Sequence, residues 1–321
     1  MNWNSGAGFN PVGNSSTDFS GVLDGLNHTI NSLTINRPNT NYIGLFGRSS
    51  GNSDIKNIGL LGGSFIGGDS LGALVGSNYG NISNAFSSAN VHVINTSHSD
   101  AGGLVGWNYG TIRNTYVTGN VTGNTNSHLG GVVGYQSGGF IYNSYASGKI
   151  EGASGGGIVA GGGSVVNSFW NKETTGQSTS AGGTGLTTAQ IQNLSTFTDA
   201  GWNISGVGGE NTVWRIYDGQ TAPLLRSFLK ALTITNDDTT TTYNGKNQGG
   251  GYQVVPVGTV YDPTLILSQQ KNATPTAVNI DLNKDLYSVQ QGYDLIVQGG
   301  SGTGTLKINP KDITVTANSG T

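Results

Sequence analysis

A short pattern recurs along the first half of the chain: a glycine-flanked apolar trio, then an Ile-x-Asn-x-aromatic run. It reads GALVGSNYGNISNAF at 72–86, GGLVGWNYGTIRNTY at 102–116 and GGVVGYQSGGFIYNSY at 130–145, with looser copies at 43–60 and 156–170. The anchoring asparagines are Asn57, Asn84, Asn114, Asn143 and Asn167, in steps of 27, 30, 29 and 24 residues. A unit of that length cannot close a hydrophobic core alone, so copies must stack on one another. Alternate residues of a strand share a face. Ile82, Asn84 and Phe86 are therefore expected on the inner face, with Lys56, Ser83, Arg113 and Tyr142 on the outer one. Short coils of two or three strands fit a right-handed parallel β-solenoid (β-helix). Asn tolerates a left-handed corner and can bond to the Asn of the next coil as a ladder.

Composition agrees with a folded, turn-rich, all-β chain. Charged residues are 10% of the 321, Gly numbers 55 and Pro 7, with five Trp, thirteen Tyr and nine Phe; a disordered chain carries more charge and fewer rings. A net charge of −3 without a Lys/Arg cluster argues against nucleic acid as a partner. No apolar run approaches the roughly 20 residues of a membrane-spanning helix. The first residues show neither a basic segment nor an apolar signal-peptide core. Cysteine is absent, which removes disulfides and thiol chemistry.

Four regions follow from these patterns. Residues 1–172 are expected to form the solenoid. Residues 173–230 read as a capping or connecting region with one short helix at TTAQIQNL, 187–194, because a solenoid end presents open strand edges. Residues 231–311 read as a β-sandwich-like module rich in Thr and Val. ITVTAN at 313–318 echoes LTIT at 232–235, with Thr233 and Thr314 lying 81 residues apart. Residues 312–321 are therefore expected to open a further, truncated repeat, which makes the chain a piece of a longer protein.

The GGLVG trio with its following Ile-x-Asn, as at 102–114, resembles the GLUG motif of large bacterial surface exoproteins. The segments FSGVLDGLNHTINSLTI at 19–35, NSFWNKETTGQSTSAGGTGLTTAQIQ at 167–192 and WRIYDGQTAPLL at 214–225 are similar to the same setting. The nearest relatives implied are filamentous-haemagglutinin-like adhesins exported by two-partner secretion. The LTIT…TYNG module is similar to the MBG/YDG-type repeats of such chains, with Asn244 where their short motif has Asp. The resemblance implies a secreted or outer-membrane-associated cell-surface location. It also implies a host or bacterial surface glycan or protein as partner, and an outer-membrane secretion partner engaged by a region absent here.

Candidate sites are few. Tyr79, Trp107, Tyr109 and Tyr135 follow the apolar trio at corresponding places on adjacent coils, and stacking would align them into an aromatic stripe able to grip sugar rings. Core filling or turn packing is the plainer reading of the same rings. His92 and His98 flank a turn about one repeat from His128, without a metal-binding spacing. Asp54, Asp69 and Asp100 are the acids between 43 and 149; their differing repeat positions do not make a general acid–base pair. Asp281, Asn283 and Asp285 begin like a calcium loop, but Leu286 and Gly292 break it. Asn236, Asp237 and Asp238 form an acidic turn at the module junction. The expectation is a non-enzymatic adhesin segment needing no metal or cofactor. A carbohydrate-active β-helix enzyme and a purely structural stalk are the alternatives.

Overall fold

A computed structural model describes residues 6–94, 99–124, 126–152, 154–237, 239–242, 244, 248–249, 251–255, 269–270, 278–281, 287–288, 292–298 and 303–309. The chain is all-β with few helices, and it divides into two compact units, Met1–Asn203 and Ile204–Thr321.

The first unit is a parallel β-solenoid of about five turns whose repeats stack in register. The coil at 99–122 shows the plan: strands Ser99–Gly102, Val105–Asn108, Thr111–Val117 and Val121–Thr122, one on each of four walls. Every wall is built from parallel pairs between successive coils, as in Ile55–Ile82–Ile112–Ile141 on the longest sheet. Apolar columns line the interior. Those four isoleucines, and Val75, Val105, Val133 and Val159 on a second wall, are fully buried. The glycine before the trio is a matter of space. A Cβ on Gly130 would lie 1.7 Å from the Val133 carbonyl oxygen, a backbone atom that cannot yield.

The five anchoring asparagines all sit at positive φ, from 46° to 54°. One left-handed residue turns the strand, and that overturns the expected alternation. Ile82 and Ala85 both enter the core, three residues apart, and Asn84 stays half-buried at the corner. Phe86 does not join Ile82. It heads a second buried column, stacked on Tyr116 at 5.0 Å, which stacks on Tyr145 at 5.2 Å, with interplanar angles of 4° and 8°. Gly59 leaves the room: a Cβ there would meet Phe86 at 2.3 Å.

Burial pushes the phenols of Tyr116 and Tyr145 well above their ordinary value. The unfolded chain ionises near pH 10, while the folded chain holds both protons. Their contribution is therefore intact below about pH 10 and is lost progressively as pH rises above it. The double variant Tyr116→Phe/Tyr145→Phe should flatten this alkaline limb of a urea midpoint measured from pH 9 to 12. Equal slopes in variant and wild type would contradict the burial argument.

At the far end, Thr184–Leu186 adds one more parallel strand to Phe169–Asn171. Three short helices follow the plan of a cap, where the sequence suggests one: Lys172–Thr175, Thr188–Ile191 and Leu194–Asp199. Asn171 and Asn193 cap the first and third through their side-chain oxygens, and Thr187 with Gln190 forms a capping box on the second. Phe197 and Trp202 pack on Phe169 at 5.5 and 5.9 Å, and the Trp202 indole donates to the Asn167 carbonyl at 2.8 Å. The stretch 173–230 is thus divided, its first part closing the solenoid and its last part lying in the second unit with Trp214, Leu224 and Leu225.

In the second unit, Lys230–Asp237 pairs antiparallel with Gly251–Val255 and parallel with Tyr293–Gln298. Thr303–Asn309 pairs with Thr239–Thr242 and Val278–Asp281. The suggested repeat at 312–321, the calcium-like stretch after Asp281 and Asp238 of the acidic turn lie outside the described residues.

Candidate functional site

The wall that carries the aromatic residues ends in a polar device that the repeat pattern conceals. Asn78, Asn108 and Gln136 occupy one register column and are buried to 1% or less. Asn78 Nδ2 donates to Asn108 Oδ1 at 2.7 Å, and Asn108 Nδ2 to Gln136 Oε1 at 2.8 Å. Ser49 Oγ closes the lower end on Asn78 Oδ1 at 2.8 Å. The same amides turn the chain, since Asn78 and Asn108 also donate to the carbonyls of Gly80 and Gly110 at 3.1 and 3.0 Å, and Gln136 does so to Gly138. A buried ladder with both ends of each amide used is rigid. It fixes the residue before it and the residue after it.

Those flanking residues are the predicted stripe. Trp107 and Tyr135 are register partners, preceded in the same column by Ser77 and Arg48. Tyr79 and Tyr109 form a second column on the far side of the buried amides in the same coils, with rings 5.1 Å apart at 11°. Trp107 meets the Tyr109 ring edge-on, at 5.1 Å and 64°. The structure therefore brings Tyr79, Trp107 and Tyr109 into one ring cluster and sets Tyr135 beside Trp107 in register. The Arg48 guanidinium lies over Tyr79 at 4.9 Å and is 3.2 Å from Asp18. At the other end Tyr135 stacks on His128 at 5.3 Å, and His128 Nδ1 is 2.9 Å from Asp100 Oδ1.

The geometry defines what these rings can offer. Tyr79 and Tyr109 stack along the solenoid axis and so cover each other's faces. They present edges and hydroxyls to solvent rather than a flat platform. Tyr109 is 41% exposed, whereas the other three are half-buried. Trp107 is turned out of the stack, and its indole nitrogen is buried without a hydrogen-bond partner among the described residues.

The remaining candidates are scattered. His92 bonds to Thr122 on the next coil at 2.6 Å, and His98 lies outside the described residues. Asp54 is held by Lys56 at 2.9 Å; Asp69 accepts from the Ser70 and Asp100 amides at 2.8 and 3.0 Å. Asp54 stands on the long sheet, and Asp100 on the wall of Ser99–Gly102. Among the described residues no three His, Cys, Asp or Glu side chains gather as a metal site. The Asn57 amide and the Leu26 N–H hold Asp24 below the usual carboxylate range.

Residues 97–122 and 125–151 match the family model described as the GLUG motif. Two coils carry the GLUG motif. Each GLUG match takes in the apolar trio, the buried amide and the left-handed Asn of one turn. A putative Gly-rich membrane protein of Evansella cellulosilytica is 44% identical over 95 residues, 27% of this chain and 11% of that protein. Halomucin of Haloquadratum walsbyi is 36% identical over 91 residues, 28% of this chain and 1% of its own length. The chain thus matches a small part of either relative. No solved structure matches it.

Proposed function

We propose that this chain is a non-enzymatic segment of a surface-exposed or secreted protein, whose GLUG solenoid presents a long repeat wall for contact with cell-surface glycans or proteins. The in-register stacking of five coils carries this reading, because each turn displays the same wall again and weak contacts then add as avidity. The names of the two relatives, a membrane protein and a mucin-like protein, support a place at the cell surface. Among the described residues no helix is long and apolar enough to cross a membrane. Adhesion, and export by two-partner secretion through an outer-membrane partner, are the finer parts of the proposal. They rest on the motif resemblance.

The stripe is the proposed contact surface for neutral glycans, with Trp107 as its central ring. Glycan-array binding of the purified chain should fall at least about fivefold in Trp107→Ala, by loss of one aromatic contact. Tyr135→Ala should weaken it less. Unchanged binding in both variants would remove the stripe. The mutual stacking of Tyr79 and Tyr109 supports a second reading, a structural stalk whose rings serve packing alone. A chain that binds no array glycan, yet loses thermal stability in Tyr109→Ala, would favour the stalk.

A further inference from the structure

The long sheet carries a different surface from the stripe. Its outer face holds three side-chain columns set by register. Lys56, Ser83, Arg113 and Tyr142 make one, and Asp54, Asn81, Thr111 and Phe140 the next. The left-handed asparagines make the third. Lys56 is neutralised by Asp54 at 2.9 Å. Arg113 is exposed and has no ion-pair partner among the described residues.

Beside Arg113 the outer amide ladder breaks. Asn57 donates to Asp24 at 3.0 Å, Asn84 to Asn57 at 3.2 Å and Asn114 to Asn84 at 3.2 Å. Asn143 occupies the next rung with the same positive φ, but its amide makes no bond to Asn114. Asn114 Oδ1 and the whole Asn143 carboxamide are thus left without partners among the described residues. A cavity of about 420 Å³ opens at this break, lined by Arg113, Asn114, Tyr142 and Asn143. A second, of about 450 Å³ and lined by Asp54, Asn81, Ser83 and Arg113, shares the arginine.

The geometry points to a binding site for a carboxylate-bearing glycan, a chain of uronic acids, at this break. A guanidinium accepts a carboxylate as a planar two-pronged partner, and this one is unneutralised. The free amide donor and acceptor beside it match sugar hydroxyls, which both donate and accept. Phe140 and Tyr142 stack at 5.5 Å and 18°, with Phe140 44% exposed, and supply an apolar surface for the ring carbons. An acidic peptide would satisfy Arg113 but leave the amides and rings unused. A dense polyanion would find one free cation here, not a row of them.

The test is calorimetric titration of the full chain with a linear galacturonate hexamer, a neutral galactose oligomer of equal length and hexaglutamate. The galacturonate is expected to bind at least about tenfold more tightly than either control, as a charge-assisted pair requires. Arg113→Gln should bring it down to the neutral level and Asn143→Ala should weaken it severalfold, while Trp107→Ala leaves it unchanged. Equal binding of acidic and neutral oligomers, equal binding of hexaglutamate, no binding at all, or an unaffected Arg113→Gln would each overturn the assignment. Because the stripe is read out with neutral glycans and Trp107, failure of one site is distinguishable from failure of the other.

Discussion

Asn108→Ala is expected to cost the solenoid about 2–6 kcal/mol, because it strands two buried polar groups at about 1–3 kcal/mol each. Asn108 Oδ1 accepts one proton of the Asn78 amide, and its own amide serves Gln136 Oε1 and the Gly110 carbonyl. After truncation, Gly110 O keeps the Phe140 amide as a donor at 3.1 Å. The second Asn78 proton and Gln136 Oε1 have no such substitute, and water does not reach a column that is at most 1% exposed. The comparison that isolates burial is Asn84→Ala on the outer ladder. There solvent replaces the lost amide bond, and the cost reduces to holding Ala at positive φ, about 1–2 kcal/mol. Urea unfolding of both variants, followed by far-ultraviolet circular dichroism, checks the order. If Asn84→Ala proves the more damaging, the inner ladder is not what locks the coils together.

The two ladders also show what the sequence discloses and what it hides. The outer one was legible because the same residue, Asn, recurs after Ile at a near-constant step, and its positive φ is the property Asn tolerates best among non-glycine residues. The inner one was not, because the column mixes Ser49, Asn78, Asn108 and Gln136, and in so Asn-rich a chain none of them stands out. A polar residue two places before a glycine in SNYG, WNYG and YQSG is the signal that could have revealed it. The period and the stacked walls followed from the GLUG-like repeat itself. Strand alternation failed at one residue per coil, since a single left-handed corner shifts every later side chain to the other face. That shift is why Phe86, Tyr116 and Tyr145 form their own column instead of filling the core with Ile82, Ile112 and Ile141. The stripe residues fall in two columns, Trp107 with Tyr135 and Tyr79 with Tyr109, and their ring orientation depends on stacking along the axis, which no spacing in the chain reports. Arg113 and the ladder break belong to the same class: an unpaired cation and an interrupted hydrogen-bond series exist only once neighbours are known.

In the second unit, Asp294→Ala is expected to destabilise by about 3–5 kcal/mol, the cost of leaving buried cations without their anion. Asp294 stands on strand Tyr293–Gln298 and joins it to the segment 204–228. Its Oδ2 takes Arg226 Nη1 at 2.5 Å and the Gly209 amide at 3.0 Å, while Arg215 Nε lies 3.2 Å from Oδ1 without hydrogen-bond alignment. Arg215 is 2% exposed, and burial pulls its guanidinium below the ordinary arginine value. It is held in place by the Gly206 and Ile216 carbonyls and by the Tyr217 ring, 3.9 Å below it. Tyr217 continues the junction, donating to the Tyr293 carbonyl at 2.7 Å and accepting from the Leu295 amide at 3.1 Å. Removing the carboxylate leaves two guanidinium groups facing each other in a poorly solvated space. Hydrogen exchange at Gly209 and Leu295 should then accelerate, and the urea midpoint of this unit should fall. The triple replacement Arg215→Met/Arg226→Met/Asp294→Met separates charge from packing, because a neutral cluster of similar volume has no ion to strand. It should recover most of the lost stability. A triple variant as unstable as Asp294→Ala would assign the effect to the hydrogen bonds with Gly206, Gly209 and Ile216 rather than to the uncompensated charge.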